Sequence, residues 1–365
     1  MEGENKMLEE IDLHLTNKCD NHCVFCSFDA GKPKENELST AEICDIIAQA
    51  QDLGVEDIHL TGGEPTLRDD LFDILEYAKE NYTGQIRMIS NGNNLTYAYL
   101  VRLKDCGVTS LMLSLDGDAE THDRLRGNKG SYNNVMKAAG IALELGFTVR
   151  FSLVANMLNL HTVKGEIIKA AQMGVQYFSI FLMSPVGRAK NLTNILITDA
   201  HWVQFCEGLR GWYKKQQFSA SLNLIVEKGF EHKGAYVDVA HMKGRGSGCT
   251  RIGSNRTYIM IGSTGNVYPC VCFFNGEHVI ANTRDYRLRE IIETDALWSF
   301  YTGIESVVYD GCQNCDKVEL CNSGCKGLRE QGFSRQCGAE YYQVCPLMKE
   351  SYQNDKVGGS SEEVM

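Results

Sequence analysis

The stretch TNKCDNHCVFCSF, residues 16–28, sets Cys19, Cys23 and Cys26 in a C-x3-C-x2-C spacing directly after a β-rich run at 11–15. Three thiolates on one short loop can hold three irons of a [4Fe–4S] cluster and leave the fourth iron without a protein ligand. An open iron suits chemistry on a chelating substrate, as an open zinc position does. Zinc is the alternative occupant, but structural zinc takes four ligands. His22 stands next to Cys23 in a tight loop, an awkward place for joint ligation.

On either side of this loop, residues 8–215 alternate short β-rich runs with helical patterns, the signature of a parallel α/β fold. The strand candidates are 11–15, 58–60, 86–89, 110–115, 148–154 and 177–182. Helical patterns cover 40–53, 69–81, 95–106, 131–145, 161–173 and 199–215, and Ser39 with Glu42 supplies a capping signal before the first. Six β/α units are too few for a closed eight-unit barrel, so a partial (β/α)6 barrel, TIM-like and open on one side, is expected over 1–216.

After residue 217 the pattern changes. Runs at 257–261 and 266–270 flank Gly262-Ser263-Thr264-Gly265, and runs at 272–274 and 278–280 flank Asn275-Gly276, so two hairpins are expected. From 311 to 345 there is little periodicity and many cysteines, which predicts ordering by metal rather than by apolar burial. The expected division is a linker plus a cysteine-rich unit over 217–350, then a disordered tail over 351–365, which includes VGGSSEEVM.

Composition bounds the function. The net charge of −11 argues against a nucleic-acid scaffold. No run approaches the roughly 18 apolar residues of a membrane span, and the charged N-terminus lacks a signal-peptide core, so a cytoplasmic protein is expected. Fifteen cysteines in such a protein should be thiols rather than disulfides. Three lie within 19–26 and nine within 249–345, which points to two metal-binding regions. Cys44, Cys106 and Cys206 sit in helical patterns beside Ile43, Leu103 and Phe205 and read as core residues. The histidines show no paired spacing, and none is assigned to catalysis.

The first cysteine motif resembles that of the radical S-adenosylmethionine (radical SAM) superfamily, with Phe25 at its usual aromatic position. The resemblance implies that the methionine end of S-adenosylmethionine chelates the open iron. Electron transfer then yields methionine and a 5′-deoxyadenosyl radical that abstracts a hydrogen atom from a substrate. Thr61-Gly62-Gly63-Glu64-Pro65 resembles the family's GGEP loop, whose glycines permit close backbone approach to the ligand and whose carbonyls or Glu64 would accept from the cofactor ammonium. By the same resemblance Ser90, Asn91, Ser114 and Asp116 contact cofactor ribose and carboxylate. Arg126 would pair with that carboxylate, with a surface salt bridge as the plain alternative. Arg188, in Pro185-Val186-Gly187-Arg188-Ala189, would help complete the adenine site. All these motifs fall at C-terminal strand ends, where parallel α/β folds place ligands.

Cys249-x15-Gly265-x4-Cys270, then Cys312-x2-Cys315-x5-Cys321-x3-Cys325 and finally Cys345, resembles the seven-cysteine SPASM extension of radical enzymes in every internal spacing. A zinc ribbon is the alternative. The resemblance implies two auxiliary [4Fe–4S] clusters, one on Cys249, Cys270 and Cys325, the other on Cys312, Cys315, Cys321 and Cys345. Sulfatase-maturating relatives carry one more cysteine before the Cys249 position, absent from residues 240–248. The first auxiliary cluster therefore needs a fourth ligand or keeps an open iron. Cys272 is the first candidate, since i and i+2 on a strand share a face. Cys337 is the second, and it also competes with Cys345 for the last position. Those relatives place a catalytic Asp after the second cysteine where this chain has Val271. If Cys272 is not a ligand, it stands where similar epimerases keep a hydrogen-donating cysteine.

The implied activity is a radical enzyme acting on a peptide or protein side chain, by cross-linking, oxidation or epimerisation. A flavodoxin- or ferredoxin-type reductant would supply electrons. With the first strand near residue 11, no N-terminal peptide-recognition domain is expected, so recognition falls to the barrel or to a separate protein. A small-molecule reaction, sugar epimerisation or dehydrogenation or decarboxylation of a tetrapyrrole precursor, is the alternative, and Cys26-Ser27-Phe28-Asp29-Ala30-Gly31 is loosely similar to the tetrapyrrole group. An iron–sulfur scaffold or electron carrier is the non-enzyme alternative; it would need four protein ligands per cluster.

Overall fold

Side chains alternate along each strand, so a strand buries one row against helices and turns the other to the opposite face. In the computed structural model, which describes residues 7–197, 199–216, 218, 222–226, 256–274 and 278–294, that rule organises the molecule. Ile11 and Leu13 of β1 (Met7–His14) and Ile58 and Leu60 of β2 (Asp57–Thr61) enter one continuous apolar core. The strand series continues as β3 (Gln85–Ser90), β4 (Ser110–Ser114), β5 (Thr148–Ala155) and β6 (Tyr177–Leu182). Their apolar rows pack against α1 (Thr40–Asp52), α2 (Leu71–Asn81), α3 (Tyr97–Asp105), α5 (Ser131–Glu144) and α6 (Val163–Met173). The short α4 (Ala119–Arg126) and the long α7 (Asp199–Tyr213) complete the helices of this part.

The six expected β/α units form the centre of the sheet, with β1 to β6 side by side and parallel. One further parallel strand lies on each flank. β7 (Asn223–Val226) pairs with β6, and β8 (Arg256–Ile261) pairs with β1. β9 (Asn266–Tyr268) turns back antiparallel on β8, as the first expected hairpin requires, and β10 (Ala281–Asn282) adds to β9. Among the described residues ten strands thus run in the order β10-β9-β8-β1-β2-β3-β4-β5-β6-β7, an open sheet rather than a closed ring.

The second expected hairpin is not formed by its first arm. Val271–Phe273 is a 3-10 turn, because the Phe273 and Phe274 amides bond back to the carbonyls of Cys270 and Val271 at 3.0 and 3.2 Å. Phe273 is buried by that turn. The strand-face argument that joined Cys270 to Cys272 therefore does not hold. A further helix, α8 (Leu288–Glu293), packs against α1, where the Leu288 amide donates to Gln49 Oε1.

Of the core cysteines, Cys106 is buried, Cys206 packs at the core's edge and Cys44 is half-buried. Cys249, Cys312, Cys315, Cys321, Cys325, Cys337 and Cys345, the turn Asn275-Gly276 and the tail 351–365 lie outside the described residues.

Candidate active site

The chain leaves β1 at His14 and returns to itself seventeen positions on. The Gly31 amide donates to Asn17 O and the Cys19 amide to Gly31 O, both at 2.9 Å, closing a loop at its base. Within it Cys19, Cys23 and Cys26 are free thiols that wall one cavity. Each sulfur receives one N–H: Asn21 N to Cys19 and Ala30 N to Cys26, both at 3.4 Å, and Arg126 Nη1 to Cys23 at 3.6 Å. Burial pushes the Cys19 thiol up to about 12, and it also raises Cys23, against the pull of Arg126. The metal-free loop at neutral pH therefore keeps these two as thiols, and loading it with iron must expel their protons.

This donor set fits a [4Fe–4S] cluster with one open iron. Among the described residues, no fourth cysteine and no histidine lines the cavity. His22 takes its place through its backbone, donating to Arg126 O at 2.9 Å.

The GGEP turn docks on this loop. Gly63 N donates to Thr16 O at 2.6 Å and Glu64 N to Lys18 O at 2.8 Å. A Cβ on Gly62 would lie 2.7 Å from Thr16 O, and one on Gly63 would strike Lys18 O. The close approach that demands glycine is thus to the cysteine loop, in addition to the cavity both residues line. Glu64 is buried, and its carboxylate accepts from Ser90 Oγ (2.9 Å), the Asn91 amide (2.7 Å) and Thr66 Oγ1 (2.8 Å). Burial raises its pKa while these bonds pull it back. Its oxygens tie the ends of β2 and β3 together, and Asn91 Nδ2 extends the tie to Asp20 of the loop at 2.6 Å.

α4 supplies the opposite wall. Asp118 caps its start through the Thr121 amide, Gly127 ends it in the left-handed region at φ 60°, and Arg126 in its last turn faces the loop. Asp116 is fully buried behind Arg126, accepting from Arg126 Nε at 2.5 Å and the Val154 amide at 2.7 Å. Burial raises the Asp116 carboxyl, opposed chiefly by Arg126. Asp116 does not line the cavity, whereas Ser90, Asn91, Ser114, Arg126 and Arg188 do.

Other lining residues escaped the sequence reading: Ile89, Ser152, Val154 and Phe28. Ser152 of β5 pairs in register with Ser114 of β4, so both face inward. A serine alternating with Phe151 and Leu153 was the available signal.

Cys270 sits beside an aromatic group of Tyr258, Tyr268, Phe28 and Phe274. His14 is buried among them, its ring centroid 4.6 Å from Phe28 and 5.7 Å from Phe274. The cysteine loop and the Cys270 segment thereby share one packed joint. Cys272 lies in the turn that follows.

A family model described as the radical SAM superfamily matches residues 13–173, and one described as the SPASM iron-sulfur cluster-binding domain matches 249–316. The chain is 28% identical to the AdoMet-dependent heme synthase of Nitratidesulfovibrio vulgaris, over 87% of this chain and 86% of that one. It is 26% identical to the mycofactocin maturase MftC of Mycolicibacterium smegmatis, over 87% and 78%. The crystal structure of Streptococcus suis SuiB bound to its precursor peptide SuiA aligns with a TM-score of 0.71 at 20% identity, covering 88% of this chain and 72% of that one, a likeness of fold. No helix among the described residues is long and apolar enough to cross a membrane. The chain thus carries a radical SAM domain over 13–173, with three thiols around one cavity at its strand ends, and a SPASM iron-sulfur cluster-binding domain over 249–316, which together imply a [4Fe–4S] cluster, S-adenosylmethionine and auxiliary clusters.

Proposed function

We propose that this enzyme modifies a peptide or protein side chain, with Cys19, Cys23 and Cys26 holding the reducing cluster. The observation that carries the site is the single cavity shared by these thiols with Gly62, Gly63, Ser90, Asn91, Ser114 and Arg126. When bound, the cluster supplies the electron that splits S-adenosylmethionine into methionine and a hydrogen-abstracting 5′-deoxyadenosyl group. The chain's own part is to hold and orient. Gly62 and Gly63 present backbone to the occupant, and Ser90, Asn91 and Ser114 offer polar contacts. Glu64, in the cavity wall, ties the strand ends together, and Asp116 acts from behind to fix Arg126.

The auxiliary ligands in this reading are Cys249, Cys270 and Cys325, and Cys312, Cys315, Cys321 and Cys345. Cys272 either completes the first set or donates hydrogen to the substrate. The peptide reading is supported by the maturase relative and by the fold shared with SuiB. Its reaction would be cross-linking, oxidation or epimerisation, fed by a flavodoxin- or ferredoxin-type reductant. A second reading, decarboxylation of a tetrapyrrole precursor, is favoured by the heme synthase relative.

Anaerobically reconstituted, reduced protein incubated with S-adenosylmethionine is expected to form 5′-deoxyadenosine and methionine, and C23A to form neither. Intact clusters without either product would favour an iron–sulfur carrier instead. Deuterium transfer into 5′-deoxyadenosine from a labelled precursor peptide encoded beside the gene supports the peptide reading; transfer only from a labelled iron-porphyrin carboxylate supports the second. Loss of turnover in C272A with all clusters retained would make Cys272 the hydrogen donor.

A further inference from the structure

Arg188 lies 165 positions from Cys23 in sequence, yet it is bonded to the cysteine loop along its length. Its Nε donates to Cys23 O at 2.7 Å, and its Nη1 donates to Ala30 O at 2.7 Å and to Asp29 Oδ1 at 3.0 Å. Its backbone amide donates to Cys26 O at 2.9 Å. The preceding residue, Gly187, has φ 55°, and a Cβ there would lie 2.5 Å from Ser27 O and strike Cys26 O. The segment after β6 is therefore pressed onto the loop backbone as closely as a chain allows.

These bonds matter because the sheet is open. No ladder joins the β6–β7 flank to the β1–β8 flank among the described residues. Arg188 spans that gap at the level of the cavity, from the end of β6 to the loop that follows β1. One residue fixes all three carbonyls, those of Cys23 and Ala30 through its guanidinium and that of Cys26 through its backbone amide, and a charged planar fork holds acceptors more firmly than neutral donors. Three sulfurs can share one cluster only while the backbone between them keeps its shape.

We propose that Arg188, besides lining the cavity, is a positioning residue that latches the cysteine loop across the open side of the barrel and presets the three thiols. This rests on Cys19, Cys23 and Cys26 being the cluster ligands.

The test uses reduced holoenzyme challenged with an iron chelator, following by EPR the cluster signal that S-adenosylmethionine perturbs. R188Q is expected to lose that signal about tenfold or more faster than wild type, with R188K in between. G187A, which displaces the same segment and keeps the guanidinium, is expected to show the same rapid loss, and it serves if R188Q does not accumulate. Unchanged retention in R188Q and G187A overturns the latch. Unchanged retention in R188Q with weakened cofactor affinity overturns it in favour of direct contact. A wild-type protein with no signal responsive to S-adenosylmethionine removes the ligand assignment itself, and the latch with it.

Discussion

Asp116 has no exposed surface, and its charge is balanced by one cation, Arg126, itself enclosed between Asp116, Cys23 and the Phe25 ring. Removing one partner of a buried pair leaves the other charge uncompensated. Asp116→Ala should therefore destabilise the protein by about 3–5 kcal/mol in denaturant unfolding, whereas a surface ion pair would cost about 1 or less. A change near the surface value would mean that Arg126 finds another partner. His14 poses the opposite problem, a base with no charge to pair. Burial, with Lys34 adding to it, pushes the ring down to about 3 against a weaker opposing pull from the Thr16 backbone. The unfolded chain takes up this proton near pH 6.5 and the folded chain does not, so stability falls as pH drops below 6.5. His14→Phe, matched to its aromatic neighbours, should remove about 1.4 kcal/mol of that loss per pH unit, read from urea midpoints at pH 7 and 5.5. Parallel pH profiles for the two proteins would refute it.

At the level of elements, the GGEP turn is the clearest case of backbone serving the site. Gly63→Ala drives a Cβ into Lys18 O, a backbone atom that can move only if the loop moves with it. The loop base must shift, and iron content at the first cluster should fall severalfold while α1 and α2 melt as before. Full iron loading in G63A would show that the loop tolerates the displacement. The same turn shows what could be read in advance. Cysteine spacing, GGEP and the strand-end motifs were legible because each is local in sequence. Its glycines were read as approaching the ligand, since nothing local reveals that Thr16 and Lys18 lie against them. α4 was missed because AETHDRLR has one large apolar residue, Leu125, and no stripe to detect. β7 spans only four residues, too short for periodicity. At 271–273 the residues Val-Cys-Phe favour a strand by type, and backbone bonding to Cys270 and Val271 overrode that preference.

Across the whole molecule, β1 pairs with β8, whose partner residues such as Ile11 and Ile259 lie 248 positions apart, a pairing that no local pattern announces. Side chains reinforce it on the face opposite the apolar core. Tyr258 of β8 donates to Asp12 of β1, and Asp12 also bonds His59 Nδ1 of β2 at 2.9 Å, with Glu10 at 3.4 Å. Arg87 of β3 pairs with Asp57 of β2 beside them at 2.8 Å. Four strands are thus joined by one charged network that includes a titratable ring. Burial alone would lower the His59 pKa, but the Asp12 bond and the charges of Asp12 and Glu10 outweigh burial and the opposing Arg87, so it is raised. The sign follows. The stabilisation is fully present below the unfolded value near 6.5 and is lost as pH rises through the higher folded value. His59→Gln keeps a donor for Asp12 and discards the charge, so its stability should lack that alkaline decline. Unfolding free energies between pH 6 and 9 check this, and a wild-type curve that stays flat while H59Q tracks it would show that Asp12 and Glu10 hold the ring by hydrogen bonding alone. Because His14 weakens the fold toward acid and His59 toward base, the double variant should have the flattest profile of the set.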